Sequence, residues 1–420
     1  MRLQTRPGRP LTGRLRVPGD KSISHRSLLF NGIAGGDVQI EGLLQSLDVK
    51  ATASCLRLMG VQIDEGRVRG DGLREPTGVL DCGNSGTSMR LLCGVLAAQP
   101  FFSVLDGDRH LRRRPMRRVT DPLSRMGARF DGRDGANLAP IAVRGGGLTA
   151  LTYTSPIASA QVKSALLLAA VLGGAELRFK EPHRSRDHTE RMLRAMGARI
   201  DELEDGTLVV PEGQTLTARD VVVPGDVSSA AFFLVAASIT PGSDLLLENV
   251  GMNPTRSGVL DALEAMGADI TVLNLRDASG EPVADLRVRH AGLQGCRIEG
   301  ALIPRLIDEV PVLAVAAAFA EGETVFADAA DLRVKESDRI TATVTGLLAL
   351  GVDASERPDG LVVRGGPVHG GVVDSLGDHR IAMAALVAGC AAQAEVTALD
   401  CHNVATSFPN FMDLMGDARA

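Results

Sequence analysis

Hydrophobic and polar positions recur along this chain in one short pattern. An apolar, helix-like segment ends in Met or Leu, continues with Gly and a small residue, and then alternates as a strand does. Copies begin at Met59, Met126, Met196, Met266 and Leu350, about 67, 70, 70 and 84 residues apart. Gly after a helix typically takes the left-handed cap conformation, and alternation predicts a strand. We therefore expect repeated α/β units, with residues 414–416 as a candidate sixth copy; chance recurrence of a common helix ending is the alternative.

Length and composition set the size of the fold. The chain has 420 residues, too many for one ordinary core, so two domains of three units each are expected. Apolar residues make up 45% and charged residues 23%, which is typical of a globular protein. The longest apolar run, near residues 312–320, is too short to cross a bilayer, and no signal-type stretch follows the N-terminus. We expect a cytoplasmic protein without membrane partners.

Charge and cysteine usage exclude several classes of protein. The net charge is −6 and aromatic residues make up 3%, which argues against a nucleic-acid-binding protein. The six cysteines occur singly, without the spacing of a metal knuckle or a disulfide framework. We expect reduced thiols and no metal site.

Several predicted apolar helices begin directly after polar or charged residues. These segments are residues 18–26, 82–90, 159–163, 308–311, 335–339 and 377–380. A helix N-terminus offers unpaired N–H groups and positive dipole charge, so it attracts anions, and Lys or Arg there is unfavourable unless an anion arrives. Ser and Asp are also ordinary N-caps, which is the alternative for each segment alone. Together the segments favour a ligand with several negative charges.

A dense basic segment covers residues 106–118. Nucleic-acid contact and an exposed, solvated loop are its rival interpretations, and nucleic acid would require more basic surface. We expect most of its arginines to be solvated and one or two to reach a small anion.

Residues 19–26 (GDKSISHR) closely resemble the N-terminal signature of the 5-enolpyruvylshikimate-3-phosphate synthase family. Further matches follow in the family's order at residues 84–87 with Arg90, 111–116, 159–161, 307–309, 333–339 and 378–380. The resemblance implies an inside-out, barrel-like α/β fold of six βαβαββ units, three per domain. It places an N-terminal domain at residues 19–226 and a C-terminal domain at residues 1–18 plus 227–420, with the active site in the cleft between them.

The same resemblance implies a reaction without metal or organic cofactor. The carboxyvinyl group of phosphoenolpyruvate passes to the 5-hydroxyl of shikimate 3-phosphate, and the family is usually monomeric. By position, Asp308 is the base for that hydroxyl, Glu336 is a second acid/base group, and Lys21 contacts both substrates and shuttles a proton. The implied contacts of shikimate 3-phosphate are Lys21, Ser22, Arg26, Ser159, Gln161, Asp308 and Lys335. Those of phosphoenolpyruvate are Lys21, Gly86, Arg114, Gln161, Arg339 and Arg380.

Alternatives and departures remain beside this assignment. Asp308 is otherwise a helix N-cap, and Glu336 a surface ion-pair partner of Arg339. Thr406 stands where some members carry Lys, so one cation near phosphoenolpyruvate is missing or comes from elsewhere. Residues 185–188 resemble a substrate-side segment, and Arg90 is a candidate support for the phosphoenolpyruvate loop.

Gly86 leaves space that the alanine of glyphosate-resistant members would fill, so we expect inhibition by glyphosate. Two rival functions remain. One is enolpyruvyl transfer to UDP-N-acetylglucosamine, whose enzymes usually begin Lys-Asn where this chain has Lys21-Ser22. The other is non-catalytic binding of an anion or nucleic acid.

Overall fold

The computed structural model describes residues 1–419, which divide into two compact units. Unit 1 consists of Met1–Pro18 and the chain from Pro224 onward, and unit 2 is Gly19–Val223. Each unit has its own apolar core. No helix in the part of the chain that the structure describes is long and apolar enough to cross a membrane.

Unit 1 begins with two strands, β1 (Arg2–Thr5) and β2 (Thr12–Leu15). The strands of unit 2 are β3 (Gly36–Glu41), β4 (Gln62–Asp64), β5 (Arg67–Gly70), β6 (Leu80–Asp81), β7 (Phe102–Asp106), β8 (Arg129–Gly132), β9 (Leu138–Arg144), β10 (Leu151–Thr154), β11 (Leu177–Lys180), β12 (Asp201–Glu202), β13 (Leu208–Val210) and β14 (Val221–Val222). Its helices are α1 (Lys21–Ala34), α2 (Leu47–Leu58), α3 (Gly86–Ala97), α4 (Arg117–Arg125), α5 (Arg133–Ala136), α6 (Ala160–Gly173) and α7 (His188–Ala195).

The remainder of unit 1 has the same mixture of elements. Its strands are β15 (Asp244–Gly251), β16 (Asp269–Ala278), β17 (Glu281–Arg289), β18 (Arg297–Ile298), β19 (Glu323–Phe326), β20 (Asp353–Arg357), β21 (Gly360–Arg364), β22 (Gly371–Asp374) and β23 (Val396–Leu399). Its helices are α8 (Val227–Ile239), α9 (Gly258–Ala265), α10 (Ile303–Leu306), α11 (Val310–Ala318), α12 (Arg339–Ala349), α13 (His379–Ala388) and α14 (Phe411–Ala418).

The described residues form six sheets, three in each unit. In unit 2 the strand orders are β14-β3-β5-β4, β6-β7-β9-β8 and β10-β11-β13-β12. In unit 1 they are β2-β15-β17-β16, β18-β19-β21-β20 and β22-β23-β1. Every sheet begins with one parallel pair and continues antiparallel, as in β6 and β7, which pair Leu80 with Leu105. The predicted two-domain α/β fold is confirmed.

The glycines of the sequence pattern explain why helices turn into strands at regular intervals. Each has a positive φ: Gly60 (94°), Gly127 (115°), Gly197 (99°), Gly267 (81°) and Gly351 (82°). A residue with a β-carbon is strained there, whereas glycine is not. The candidate sixth copy is wrong, because Gly416 lies inside α14.

The central helices of each unit are apolar on all sides. Helix α6 is buried from Val162 to Val171 and packs against α3, while α11 packs against both α8 and α13. In α6 the polar residues Gln161, Lys163 and Ser164 stand near the start of the helix, and the rest of the helix is apolar. The polar chemistry of this helix therefore lies at its N-terminus.

Candidate active site

The predicted site residues of unit 2 lie at the N-termini of α1, α3 and α6 and in the loop before α4. Asp20 caps α1, Ser85 caps α3 and Ser159 caps α6, each accepting a backbone N–H of its helix. These caps leave the first turns well ordered, with their remaining N–H groups directed outward. We call Lys21, Arg26, Gly86, Arg90, Arg114 and Gln161 the Lys21 group.

Lys21 opens α1 and pairs with a carboxylate that the sequence did not reveal. Its Nζ lies 3.2 Å from Asp48 Oδ2, near the start of α2. Both side chains are largely buried, with 20% and 12% of their surface exposed. Asp48 follows Ser46, which caps α2 in the same way as the other polar helix starts. That shared form is the signal by which this residue was detectable.

Gly86 is the first residue of α3 and lies under two guanidinium groups. A β-carbon at this position would lie 2.8 Å from Arg90 Nη1 and 3.1 Å from Arg114 Nη1. Arg90 Nη1 donates to Gln161 Oε1 at 2.7 Å, and Gln161 Nε2 donates to Thr87 Oγ1 at 3.0 Å. The absence of a side chain at residue 86 therefore permits both cations to approach the helix N-terminus.

Arg114 is the arginine of the basic segment that reaches this group. It is mostly buried, and its Nη2 donates to Asn84 Oδ1 at 2.8 Å. Asn84 is held in turn because its Nδ2 donates to Asp108 Oδ2 at 2.7 Å. Arg112 instead pairs with Asp106 at the surface. Within the segment Arg114 is therefore the buried arginine, whereas Arg109, Arg112, Arg113 and Arg117 are exposed.

Arg26 is buried on α1 and is oriented by hydroxyl groups. Its Nε donates to Thr189 Oγ1 and its Nη2 to Ser164 Oγ, both at 2.7 Å. Its Nη1 donates to the backbone oxygen of Ser22 at 3.0 Å. These bonds fix the orientation of a planar guanidinium, the group whose fork geometry suits an oxyanion.

A buried chain of polar side chains connects α1 with α3. His25 Nδ1 lies 2.7 Å from Thr52 Oγ1, which lies 2.6 Å from Ser88 Oγ, and Ser88 donates to Ser85 Oγ at 2.7 Å. Burial, followed by the charges of Lys21 and Arg26, holds the pKa of His25 well below its usual value. A neutral imidazole adds no charge to the Lys21 group.

A second buried cluster supports the residues around Arg26. Lys163 Nζ lies 2.8 Å from a carboxylate oxygen of Glu181 and 2.8 Å from one of Glu190. Burial would lower the pKa of Lys163, but the two carboxylates raise it. Lys163 adjoins Ser164 in sequence, and Glu190 adjoins Thr189, so the cluster fastens α6 to α7 where both hold Arg26.

The predicted site residues of unit 1 gather around a fully buried guanidinium. Arg339, the first residue of α12, donates to Asp378 Oδ2 (2.8 Å), to Glu336 Oε2 (2.7 Å) and to Asp308 Oδ1 (3.1 Å). Burial alone would lower the pKa of Arg339, but these carboxylates raise it above its ordinary value. We call Arg339, Asp308, Lys335, Glu336, Asp378 and Arg380 the Arg339 group.

Asp308 lies between two cations. Besides Arg339, Lys335 Nζ lies 3.4 Å from the same oxygen, Oδ1. Arg380, on α13, donates from Nη1 to the backbone oxygen of Asp308 at 2.9 Å. Glu309 occupies the N-cap position of α11, so the alternative of Asp308 as a helix cap is wrong. Asp308 is therefore held against Arg339 and Lys335, and a carboxylate is a group that can accept a proton.

Asp378 is fully buried and orders two of the predicted ligands. It accepts from Arg339, from Ser337 Oγ at 3.1 Å and from the backbone N–H of Arg380 at 2.9 Å. Burial would raise the pKa of this carboxyl, but the charge of Arg339 outweighs burial and lowers it. Glu336 does pair with Arg339, yet as partner of a buried guanidinium rather than in a surface ion pair.

The remaining sequence predictions fall on ordered polar positions. Ser22 contributes its backbone oxygen to Arg26, and Ser159 caps α6. Thr406 is buried and donates from Oγ1 to the backbone oxygen of Asn403 at 2.6 Å. Each predicted substrate set contains residues of both units, and the contacts described above lie within one unit or the other. Asp48, Glu309, Asp378 and Lys163 contribute as well, although no individual role was predicted for them.

Charge distinguishes the two groups. The Lys21 group has four cations, and one of them, Lys21, pairs with Asp48. The Arg339 group has three cations interleaved with three carboxylates. The first arrangement suits ligands carrying several negative charges, and the second suits proton transfer beside a bound anion. Among the described residues no group of three or more His, Cys, Asp or Glu is arranged to hold a metal ion.

Known proteins resemble this chain along nearly its whole length. It matches the family described as "EPSP synthase (3-phosphoshikimate 1-carboxyvinyltransferase)" over residues 5–415. The 3-phosphoshikimate 1-carboxyvinyltransferase of Citrifermentans bemidjiense is 54% identical over 418 residues, covering 98% of this chain and 97% of that protein. That of Pelotomaculum thermopropionicum is 55% identical over 425 residues, covering 99% and 98%.

Solved structures give the same result for the fold. An EPSP synthase from Acinetobacter baumannii superimposes with a TM-score of 0.88 at 44% identity, over 100% of this chain and 98% of that one. The enolpyruvyl transferase NikO from Streptomyces tendae superimposes with a TM-score of 0.81 at 18% identity, over 99% and 96%. The second likeness concerns the fold alone.

Proposed function

Because the chain belongs to the EPSP synthase family, we propose that it transfers the carboxyvinyl group of phosphoenolpyruvate to the 5-hydroxyl of shikimate 3-phosphate and releases phosphate. One observation carries the proposal. Arg339 is encircled by Asp308, Glu336 and Asp378, so an anion-binding cation lies directly beside two carboxylates that can exchange protons. The domain prediction, 19–226 and 1–18 with 227–420, is part of this proposal.

Both substrates are anions, and the proposed ligands are the cations and polar helix starts described above. Shikimate 3-phosphate is bound by Lys21, Ser22, Arg26, Ser159, Gln161, Asp308 and Lys335. Phosphoenolpyruvate is bound by Lys21, Gly86, Arg114, Gln161, Arg339 and Arg380. Preorganised cations of this kind stabilise the charge that develops during the reaction.

The arrival of a substrate anion changes the partners of Arg339. Its guanidinium is saturated by carboxylates, so the carboxylate or phosphate of phosphoenolpyruvate replaces one or more of them. Asp378 is the partner that stays, because it is fully buried and holds the guanidinium through two contacts. Asp308 and Glu336 are more exposed and are therefore the two that are released for chemistry.

The reaction then proceeds by addition and elimination, and each proton that is taken up is also released. Asp308 accepts the proton of the 5-hydroxyl, whose oxygen bonds to C2 of phosphoenolpyruvate while C3 gains a proton. The resulting tetrahedral intermediate loses phosphate as its C–O bond breaks, and a proton leaves C3 to restore the double bond. Glu336 and Lys21 are assigned to the proton transfers at C3 and at the phosphate. Arg380 and Arg114 hold the donor throughout.

Phosphate release from purified protein tests the function. We expect release only when both substrates are present, without added cofactor, and its loss in Lys21→Ala and Asp308→Ala. Asp244→Ala is a matched control, because that carboxylate is an exposed ion-pair partner of Arg287. No release by folded wild-type protein would contradict the proposal, and release with UDP-N-acetylglucosamine instead would identify the rival acceptor.

Two further properties belong to the proposal. A monomer is proposed from the family resemblance, and light scattering after gel filtration measures it directly. A cytoplasmic location is proposed because all six cysteines are free thiols. Thiol titration of freshly isolated protein with and without reductant tests whether they remain reduced.

A further inference from the structure

Glu309 lies next to the proposed base yet has no part in the mechanism above. It precedes α11, and its side chain is fully buried. Its Oε1 accepts a hydrogen bond from Ser228 Oγ (2.5 Å) and lies 3.2 Å from Arg380 Nη1, which donates to it. Burying a carboxylate costs free energy unless the group is paired, so the burial of Glu309 depends on Ser228 and Arg380.

Ser228 is itself fixed in direction. Arg256 Nη2 donates to Ser228 Oγ at 2.6 Å and to Asp226 Oδ1 at 2.9 Å. A guanidinium has no acceptor, so Ser228 must use a lone pair toward Arg256 and its proton toward Glu309. Asp226 also accepts the backbone N–H of Ser228 at 2.8 Å, which caps α8. The hydroxyl therefore presents its proton to Glu309 in one orientation.

The arrangement leaves one side of Arg380 available. Its Nη1 donates to both Glu309 Oε1 and the backbone oxygen of Asp308. Among the described residues its Nε and Nη2 have no hydrogen-bond partner. Because the guanidinium is planar, fixing Nη1 through two acceptors sets the direction in which Nε and Nη2 point. That pair is the edge that binds a carboxylate or phosphate in bidentate geometry.

We propose that Glu309 is a positioning residue for phosphoenolpyruvate: anchored by Ser228, it holds Arg380 so that the free guanidinium edge receives the substrate anion. The proposal rests on the proposed function and names one residue that sets donor affinity without touching the donor. A purely structural Glu309 would stabilise α11 and α13 but would leave the affinity for the two substrates in the same ratio.

Steady-state kinetics separate these two roles. Glu309→Gln keeps an oxygen that can accept from Ser228 but removes the charge that pairs with Arg380. We expect KM for phosphoenolpyruvate to rise about 10- to 100-fold and KM for shikimate 3-phosphate to change by less than about threefold. Ser228→Ala should raise KM for phosphoenolpyruvate in the same direction by about 3- to 10-fold, and it carries the test if Glu309→Gln does not fold.

A double-mutant cycle and a control complete the test. If Glu309 acts through Arg380, then Glu309→Gln adds little to Arg380→Lys, whereas independent roles would multiply. Asp285→Asn makes the same carboxyl-to-amide change at a half-buried ion pair with Arg276, and should leave both KM values unchanged.

Three outcomes overturn the inference. They are an unchanged KM for phosphoenolpyruvate in Glu309→Gln, equal rises in both KM values, and multiplicative effects in the cycle. Wild-type protein that releases no phosphate from the two substrates would overturn the proposed function, and this role with it.

Discussion

Replacement of Gly86 by Ala tests the packing of the two guanidinium groups over the start of α3. The new β-carbon would lie 2.8 Å from Arg90 Nη1 and 3.1 Å from Arg114 Nη1. Non-bonded heavy atoms prefer about 3.5 Å or more, so both side chains must withdraw by about half an ångström. Each is the end of a flexible chain, so the fold can accommodate the movement while the site cannot.

The magnitude follows from the bonds that the movement strains. Arg90 Nη1 donates to Gln161 at 2.7 Å, and Arg114 Nη2 donates to Asn84 at 2.8 Å. A hydrogen bond from a charged group contributes about 1.5–3 kcal/mol, so loss of one lowers kcat/KM for phosphoenolpyruvate about 10- to 100-fold. Ala is a better helix former than Gly by up to about 1 kcal/mol, which offsets the strain in the free energy of unfolding.

Initial rates of phosphate release at saturating shikimate 3-phosphate measure the effect. We expect kcat/KM for phosphoenolpyruvate to fall while the melting temperature moves by less than about 4 °C. Gly78→Ala is the matched control, because an added β-carbon there contacts nothing within 4 Å in the same unit. Wild-type kinetics in Gly86→Ala, or a fall that accompanies unfolding, would refute the reasoning.

Four further outcomes are expected. Glyphosate should compete with phosphoenolpyruvate in the wild type and less effectively in Gly86→Ala; an inhibition assay that shows no competition at millimolar concentration contradicts this. The folded protein holds the pKa of His25 below the value of this group in the unfolded chain. Below about pH 6.5 the unfolded chain therefore binds one proton more than the folded protein. As the pH decreases further, the free energy of unfolding falls by up to about 1.4 kcal/mol per pH unit. His25→Asn should remove that component of the slope, measured as the difference in urea midpoints between pH 7.5 and 5.5; parallel slopes would argue against it. Lys163→Met leaves two buried carboxylates without their cation and should cost about 3–5 kcal/mol in urea unfolding, against little change in Lys180→Met at an exposed pair. Asp378→Asn frees Arg339 from its buried partner and should lower kcat/KM for phosphoenolpyruvate by at least about 30-fold, and retention of wild-type kinetics would remove Asp378 from the site.

Local signals in the sequence predicted much of the architecture because local physics determines it. A glycine such as Gly127 is required wherever a helix ends in a positive φ, and this requirement can be read from the chain. The polar helix starts were also predictable from the sequence. Ser85 and Asp338 each cap a helix by accepting a backbone N–H from a residue two or three positions further along the chain. The fold class followed from these features together with the family resemblance, which also supplied the candidate residues of each group.

Ion pairs between residues that are distant in the sequence could not be predicted from it. Arg339 and Asp378 are 39 positions apart, and Lys21 and Asp48 are 27 apart. Such pairs depend on where whole elements pack, so no spacing rule reveals them. For the same reason no role was predicted for Glu309, because its hydrogen-bond partner Ser228 is 81 positions away in the sequence.

Unit 1 draws its first two strands from the very beginning of the chain. Strand β2 lies parallel to β15, pairing Thr12 with Asp244, and β1 lies antiparallel to β23, pairing Arg2 with Leu399. On the ribosome these strands emerge before the whole of unit 2 but find their partners only after it. At about 5–20 residues per second, β1 waits on the order of tens of seconds for β23. Unit 2, an uninterrupted segment, can close its core during that interval, so unit 1 and its Arg339 group are the last part of the protein to fold.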